Sequence, residues 1–187
     1  MSEMLQNIGI EVSGIDDESC REAFNTSLDY LENKLPPNVL ELLRGLHVQI
    51  GDDLIEGGGL ASAEDMKITL DRTKSAMTLQ ESDDLLASLG IINAGDRAKL
   101  LPGEKDRPWS SLIYEFVHEC GHIIDGRLGN NGAYSRLGKK FSPTKYGQGS
   151  DHEAYAEAFI YWVFDASLSV EAKKAVEDSF NETRGEL

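Results

Sequence analysis

Positive charge is scarce in this chain: 18 lysines and arginines stand against 33 aspartates and glutamates, for a net charge of −15. Polyanions and anionic bilayers are held by cationic surfaces, so this balance excludes a general affinity for nucleic acid or membrane. The surplus carboxylates read as a solvated acidic surface. Cysteine is nearly absent, and Cys20 and Cys120 lie too far apart in a chain of this size to be a disulfide framework. Long apolar runs are missing too. The longest, Ala158 to Phe164, is far short of the roughly 20 residues of a membrane-spanning helix. The first residues offer neither a basic stretch nor an apolar one of the kind that directs secretion. Together these absences lead us to expect a protein made and folded in a reducing cytoplasm, with signal-independent export open. No P-loop, dinucleotide fingerprint, serine or cysteine triad, or nucleic-acid module occurs.

What is present fits one globular domain of 187 residues with 40% hydrophobic content. The first ten or so residues read as loosely ordered. Cys20, Phe24, Leu28, Leu31 and Leu35 recur at helical spacing from Asp16 or Asp17, and Pro36-Pro37 stops them. A short helix through Val39 to Leu46 follows. Residues 46–50 and 66–70 alternate apolar with polar, the pattern of strands with one buried face, and Gly57-Gly58-Gly59 between them reads as a loop. A short helix around Asp83 to Leu89 precedes a charged, turn-rich segment. After the strongest helix, Pro108 to Asp125, come a glycine-rich loop to Ser150, a helix opening there, and a last one about Val170 to Arg184. The expected class is α+β, a small mixed sheet with C-terminal helices. Residues 1–45 form an N-terminal helical segment packed on the core of 46–187.

The helix of residues 108–125 carries the chemistry. Its polar residues Ser111, Tyr114, Glu115, His118, Glu119, His122 and Asp125 form one stripe on an otherwise apolar cylinder. Polar groups aligned inside a core need partners, and a metal is an efficient one. Within the stripe, His118-Glu119-Cys120-Gly121-His122 is an HExxH motif. Its two histidines, four apart, can bind one Zn²⁺ while Glu119 points toward the metal's water. Cys120 points elsewhere and belongs to the core.

A catalytic zinc takes a third protein ligand and keeps a position open. The metzincin continuation fails, because position 125 is Asp and position 128 is Leu. The candidates are Asp125, His152, Glu153 and Glu157. Asp125 reads as a carboxylate beside the ligands rather than a ligand. Glu153 and Glu157, four apart, suit one ligand and one carboxylate that orients a ligating histidine. Against this, Ser150-Asp151-His152-Glu153 also matches a capping box, in which Glu153 turns back to the helix start. Spacing leaves ligand and cap equally open.

The stretch from Ser142 to Phe159, together with HExGH, resembles the gluzincin peptidases typified by anthrax lethal factor and the clostridial Pro-Pro endopeptidases. Tyr146-Gly147 followed by Glu153-Ala154-Tyr155-Ala156-Glu157-Ala158-Phe159 matches their Tyr-Gly pair and helix, and the likeness spans about residues 46–165. It implies a zincin-like fold and a zinc metalloendopeptidase, a hydrolase of protein or peptide substrates. In that reading His118, His122 and Glu153 are the ligands of one Zn²⁺, Glu157 supports them, Glu119 is the general base and Tyr146 an oxyanion donor. An extended substrate is expected along a sheet edge at strand 66–70, near Lys67, Thr69 and Asp71. Two alternatives share the motif: a narrow regulatory protease of the cytoplasmic HExxH type, and a non-catalytic zinc-stabilised phage or interaction protein. An intact Glu119 and Tyr146 argue against the latter, since structural zinc needs neither.

Overall fold

The computed structural model describes residues 8–55, 58–129 and 138–181. The expectations for residues 1–7, for Gly57, for the loop at 130–137 and for the chain beyond 181 lie outside the described residues. The architecture is α+β, with one mixed sheet. Its strands are β1 (Glu11–Ser13), β2 (His47–Gly51), β3 (Gly59–Ser62) and β4 (Lys67–Asp71), in the order β1-β2-β4-β3. β1, β2 and β4 are parallel, and β3 runs antiparallel to β4. Val48, Ile50, Ile68 and Leu70 are buried, as the alternation predicts.

Two strands depart from expectation. Residues 8–13 are built into the fold: Ile8 is buried, its carbonyl accepts from the Gly45 amide, and β1 pairs with β2. Gly59, expected in a loop, opens β3.

The α-helices are α1 (Glu18–Lys34), α2 (Pro37–Leu40), α3 (Arg72–Ser75), α4 (Leu79–Ser88), α5 (Ser110–Arg127), α6 (Asp151–Val163) and α7 (Val170–Asn181). Asp17 caps α1 by accepting from the Cys20 amide at 2.7 Å. Pro37 does more than stop α1. It takes the first position of α2, where its missing N–H leaves no hydrogen bond unmade. α2 and a 3₁₀ turn over Glu41–Leu43 replace the single helix expected to Leu46. α4 starts at Leu79, earlier than its apolar residues suggest, because Thr78 and Glu81 form a capping box.

α5 is the axis of the molecule, with every residue buried except His122, Gly126 and Arg127. Gly126 does not end it. A side chain there would collide with Ala63, so this glycine serves packing rather than termination. On one flank α1 lays Phe24 against Phe116, ring centroids 5.0 Å apart. The N-terminal segment thus shares both sheet and core with the rest of the chain. On another flank lies α6. A Cβ on Gly121 would stand 3.1 Å from both Ala156 Cα and a Phe159 ring carbon, so only glycine lets the two helices approach this closely. Buried residues such as Phe116 and Phe159 each contribute about 1.5–3 kcal/mol. No helix among the described residues is long and apolar enough to cross a membrane.

Candidate metal centre

The close approach of α5 and α6 brings three donor atoms together. His118 Nε2 lies 3.2 Å from His122 Nε2 and 3.2 Å from Glu153 Oε2, and His122 Nε2 lies 3.5 Å from the same Glu153 oxygen. A tetrahedral zinc with ligands at about 2.0–2.1 Å holds its donors about 3.3 Å apart. The three separations therefore fit one such ion, and this trio is the one group of potential ligands that converges among the described residues.

Ser150 caps α6 by accepting from the Glu153 amide at 3.2 Å, which is half of the capping box. The Glu153 carboxylate does not return to complete it, and faces the two histidines instead. Burial opposes charge on Glu153, yet the contacts from His118 and His122 outweigh it and hold the carboxyl far below its usual range. Burial likewise disfavours a charged His118, but Glu153 and Glu157 beside it raise the imidazole to about 10.

Glu157 is fully buried behind the histidine. Its Oε1 accepts the Tyr114 hydroxyl at 2.7 Å and stands 2.9 Å from His118 Nδ1, at an angle too bent for a well-formed hydrogen bond. It is nevertheless the acceptor nearest that nitrogen. A proton on Nδ1 leaves the Nε2 lone pair free for a cation. Asp125 is also buried, but it takes His152 Nδ1 at 3.1 Å rather than His118 or His122.

Glu119 and Tyr146 complete the sequence-based set. Both line a cavity of about 370 Å³ with His118. Glu119 is 7% exposed, and burial raises its pKa against the pull of His118 and His122. Tyr146 sits in a 3₁₀ turn over Tyr146–Gly149, its ring centroid 6.0 Å from that of His118. Burial pushes its hydroxyl up to about 12, which keeps it a proton donor at neutral pH. His118, Glu119, His122, Tyr146 and Glu153 thus converge on one place.

Lys67, Thr69 and Asp71 do not join them. β4 is bonded to β2 on one side and β3 on the other, so it is no edge. Asp71 is buried and caps α3 through the Lys74 amide at 3.0 Å. Alternation along β4 reports a buried face and is silent about its neighbours. Among the described residues, the free edge beside the site belongs to β3. Gly59 lies so close to α5 that a Cβ would stand 2.5 Å from Glu119 Oε1, and one on Gly58 would stand 2.8 Å from Glu115 Oε1.

Glu115 and Arg97 also line the cavity, and neither stood out as a site residue in the sequence. Glu115 accepts from Ser75 Oγ at 2.6 Å and Ser111 Oγ at 3.2 Å, and burial raises its carboxyl to about 7. Its membership of the polar stripe was its one signal. Comparison with protein-family profiles, with curated proteins and with solved structures finds no match, so geometry carries the reading of this site.

Proposed function

We propose that the chain is a zinc-dependent metalloendopeptidase with a zincin-like catalytic core, its zinc held by His118, His122 and Glu153. The observation that carries this reading is the trio of donor separations, 3.2, 3.2 and 3.5 Å, on two helices locked together at Gly121. Zinc bound there supplies Lewis-acid activation of water and of the scissile carbonyl.

The remaining chemistry belongs to the chain's own side chains. Glu119 lies beside the ligands without ligating. It takes the proton of the attacking water and delivers it to the leaving amine, so its burial-raised pKa suits a group that is base and then acid. Tyr146 donates a hydrogen bond from its hydroxyl to the oxyanion that develops on the carbonyl. Glu157, packed behind His118, holds the imidazole in the ligating tautomer. The substrate lies extended along β3, whose outer edge is unpaired among the described residues, where Gly58 and Gly59 bring the backbone up to α5.

The test compares the wild type with one variant on any peptide that the wild type cleaves. Glu119→Gln should retain one zinc per chain and lose hydrolysis, because an amide cannot accept the proton. A zinc-loaded wild type that cleaves nothing in a broad peptide library would leave a metal-bound scaffold instead.

A further inference from the structure

A buried cation without a hydrogen-bonded partner among the described residues stands in the cavity beside the proposed centre. Arg97 is 9% exposed, and its guanidinium makes no hydrogen bond and no ion pair within 4 Å to any described residue. Its Nε is buried without a partner. A guanidinium offers five N–H donors in a fixed fork, and leaving them unmet in a buried place is costly. Three buried carboxylates, Glu157, Glu115 and Glu119, lie near enough to stabilise its charge, but none accepts a hydrogen bond from the fork. Glu115 is committed to Ser75 and Ser111, and Glu119 lies against Gly59.

The arginine is held in place. Buried Asp83 on α4 accepts from the Arg97 amide at 2.9 Å and from the Gly95 amide at 2.5 Å, which fixes the turn that carries it. Its guanidinium lies 4.5 Å from the Tyr114 ring centroid and 5.7 Å from that of Tyr146. Both rings present faces rather than acceptors, so they orient the fork without saturating it. The same cavity is lined by apolar Leu85, Leu89 and Ile91, each more than a third exposed. An oriented fork without a hydrogen-bonded partner and apolar side chains in one cavity describe a pocket for a carboxylate on an apolar stem.

We propose that Arg97 is a substrate-binding residue that anchors a carboxylate of the peptide, either its C-terminus or an acidic side chain, next to the scissile bond. This rests on the peptidase reading above and adds its substrate class. It also gives an acidic protein one fixed cation where an anionic group can dock, against a net charge that repels such groups elsewhere.

Two measurements on the full chain test it, one of binding and one of cleavage. In calorimetry, 3-phenylpropanoate and 3-phenylpropanamide share an apolar stem and differ in charge. Bound metal would also hold a carboxylate, so the quantity read is the acid-to-amide affinity ratio in the wild type over that in Arg97→Gln. Hydrogen bonds to a charged group predict a fall of roughly ten- to a hundredfold. Arg97→Lys keeps the charge without the planar fork and should lie between. Equal affinity for acid and amide in the wild type overturns the proposal even where a variant fails to fold. A ratio that survives Arg97→Gln overturns it too.

In cleavage, peptides with free and amidated C-termini are compared, and peptides with Glu or Asp against Gln or Asn near the scissile bond. A preference for the free terminus, or for the acidic residue, identifies the source of the carboxylate, and Arg97→Gln should erase it. Indifference to all four, or an equal loss on every peptide in Arg97→Gln, removes the anchor and leaves the peptidase standing. No cleavage of any peptide refutes the peptidase instead, and the binding ratio then decides the carboxylate pocket alone.

Discussion

Replacing Gly59 by alanine would test the link between the sheet edge and the catalytic base with a single methyl group. The added Cβ would stand 2.5 Å from Glu119 Oε1, 2.8 Å from its Cγ and 2.9 Å from its Cδ, where ordinary contact begins at 3.4 Å. The carboxylate must therefore move by about 1 Å. Glu119 Cγ, close to the backbone of α5, must give along with the carboxylate, so the move also costs some stability, although Gly59 has no left-handed backbone that alanine would strain. For catalysis a misplacement of that size costs about a hundredfold, or about 2.7 kcal/mol in the barrier. We expect Gly59→Ala to keep one zinc per chain and to remain folded with a modestly lowered denaturation midpoint, while kcat/KM falls about a hundredfold. In a Glu119→Gln background the same change should add almost nothing, because the group it displaces is already disabled. Full activity in Gly59→Ala would refute the placement of Glu119 against β3. Loss of zinc would show that the edge supports the ligands rather than the base.

Tyr146→Phe should retain metal and lose roughly 10²–10³-fold in kcat, the size of one oxyanion donor, with little change in KM. Glu157→Gln should weaken zinc affinity roughly 10–100-fold in a competition titration with a chelator, since the buried carboxylate behind His118 loses its charge. A third test concerns Glu115, raised by burial from an ordinary 4.5 to about 7. A carboxyl raised in the folded state binds its proton more tightly there. Its favourable contribution is complete below about pH 4.5 and is lost as pH rises through about 7. Glu115→Gln, which does not titrate, should therefore gain on the wild type across that window by up to about 3 kcal/mol and level off above it. Urea denaturation of both proteins between pH 4 and 9 reads this directly, and a pH-independent difference would contradict the burial assigned to Glu115.

The parts legible from sequence were those in which periodicity and function coincide. α5 is apolar around most of its circumference, so its polar stripe stood out, and the i, i+4 spacing of His118 and His122 placed both on one face. Glu153 was half legible. The capping pattern at Ser150 is real and competed with the ligand reading, and what separates them is the packing of α5 on α6 at Gly121, a tertiary fact. β1 has three exposed residues and no buried face to produce alternation. β3, Gly-Leu-Ala-Ser, lacks the β-branched and aromatic residues that mark strands, and its Gly59 is there for close approach. Missing β3 made β4 look like the edge and misplaced the substrate at Lys67, Thr69 and Asp71. Arg97 had no local signal at all. It lies in a turn whose geometry depends on a buried aspartate 14 residues away in the chain.

The central claim is that His118, His122 and Glu153 hold one zinc, and X-ray absorption at the zinc edge, with elemental analysis of the same sample, tests it most directly. The account predicts one zinc per chain with two imidazole nitrogens at about 2.0–2.1 Å and carboxylate or water oxygens completing a four-coordinate shell. Glu153→Gln should lower the affinity at least tenfold and change the oxygen contribution. A chain that takes up no zinc, or one in which Glu153→Gln binds it with unchanged affinity and spectrum, would contradict the account.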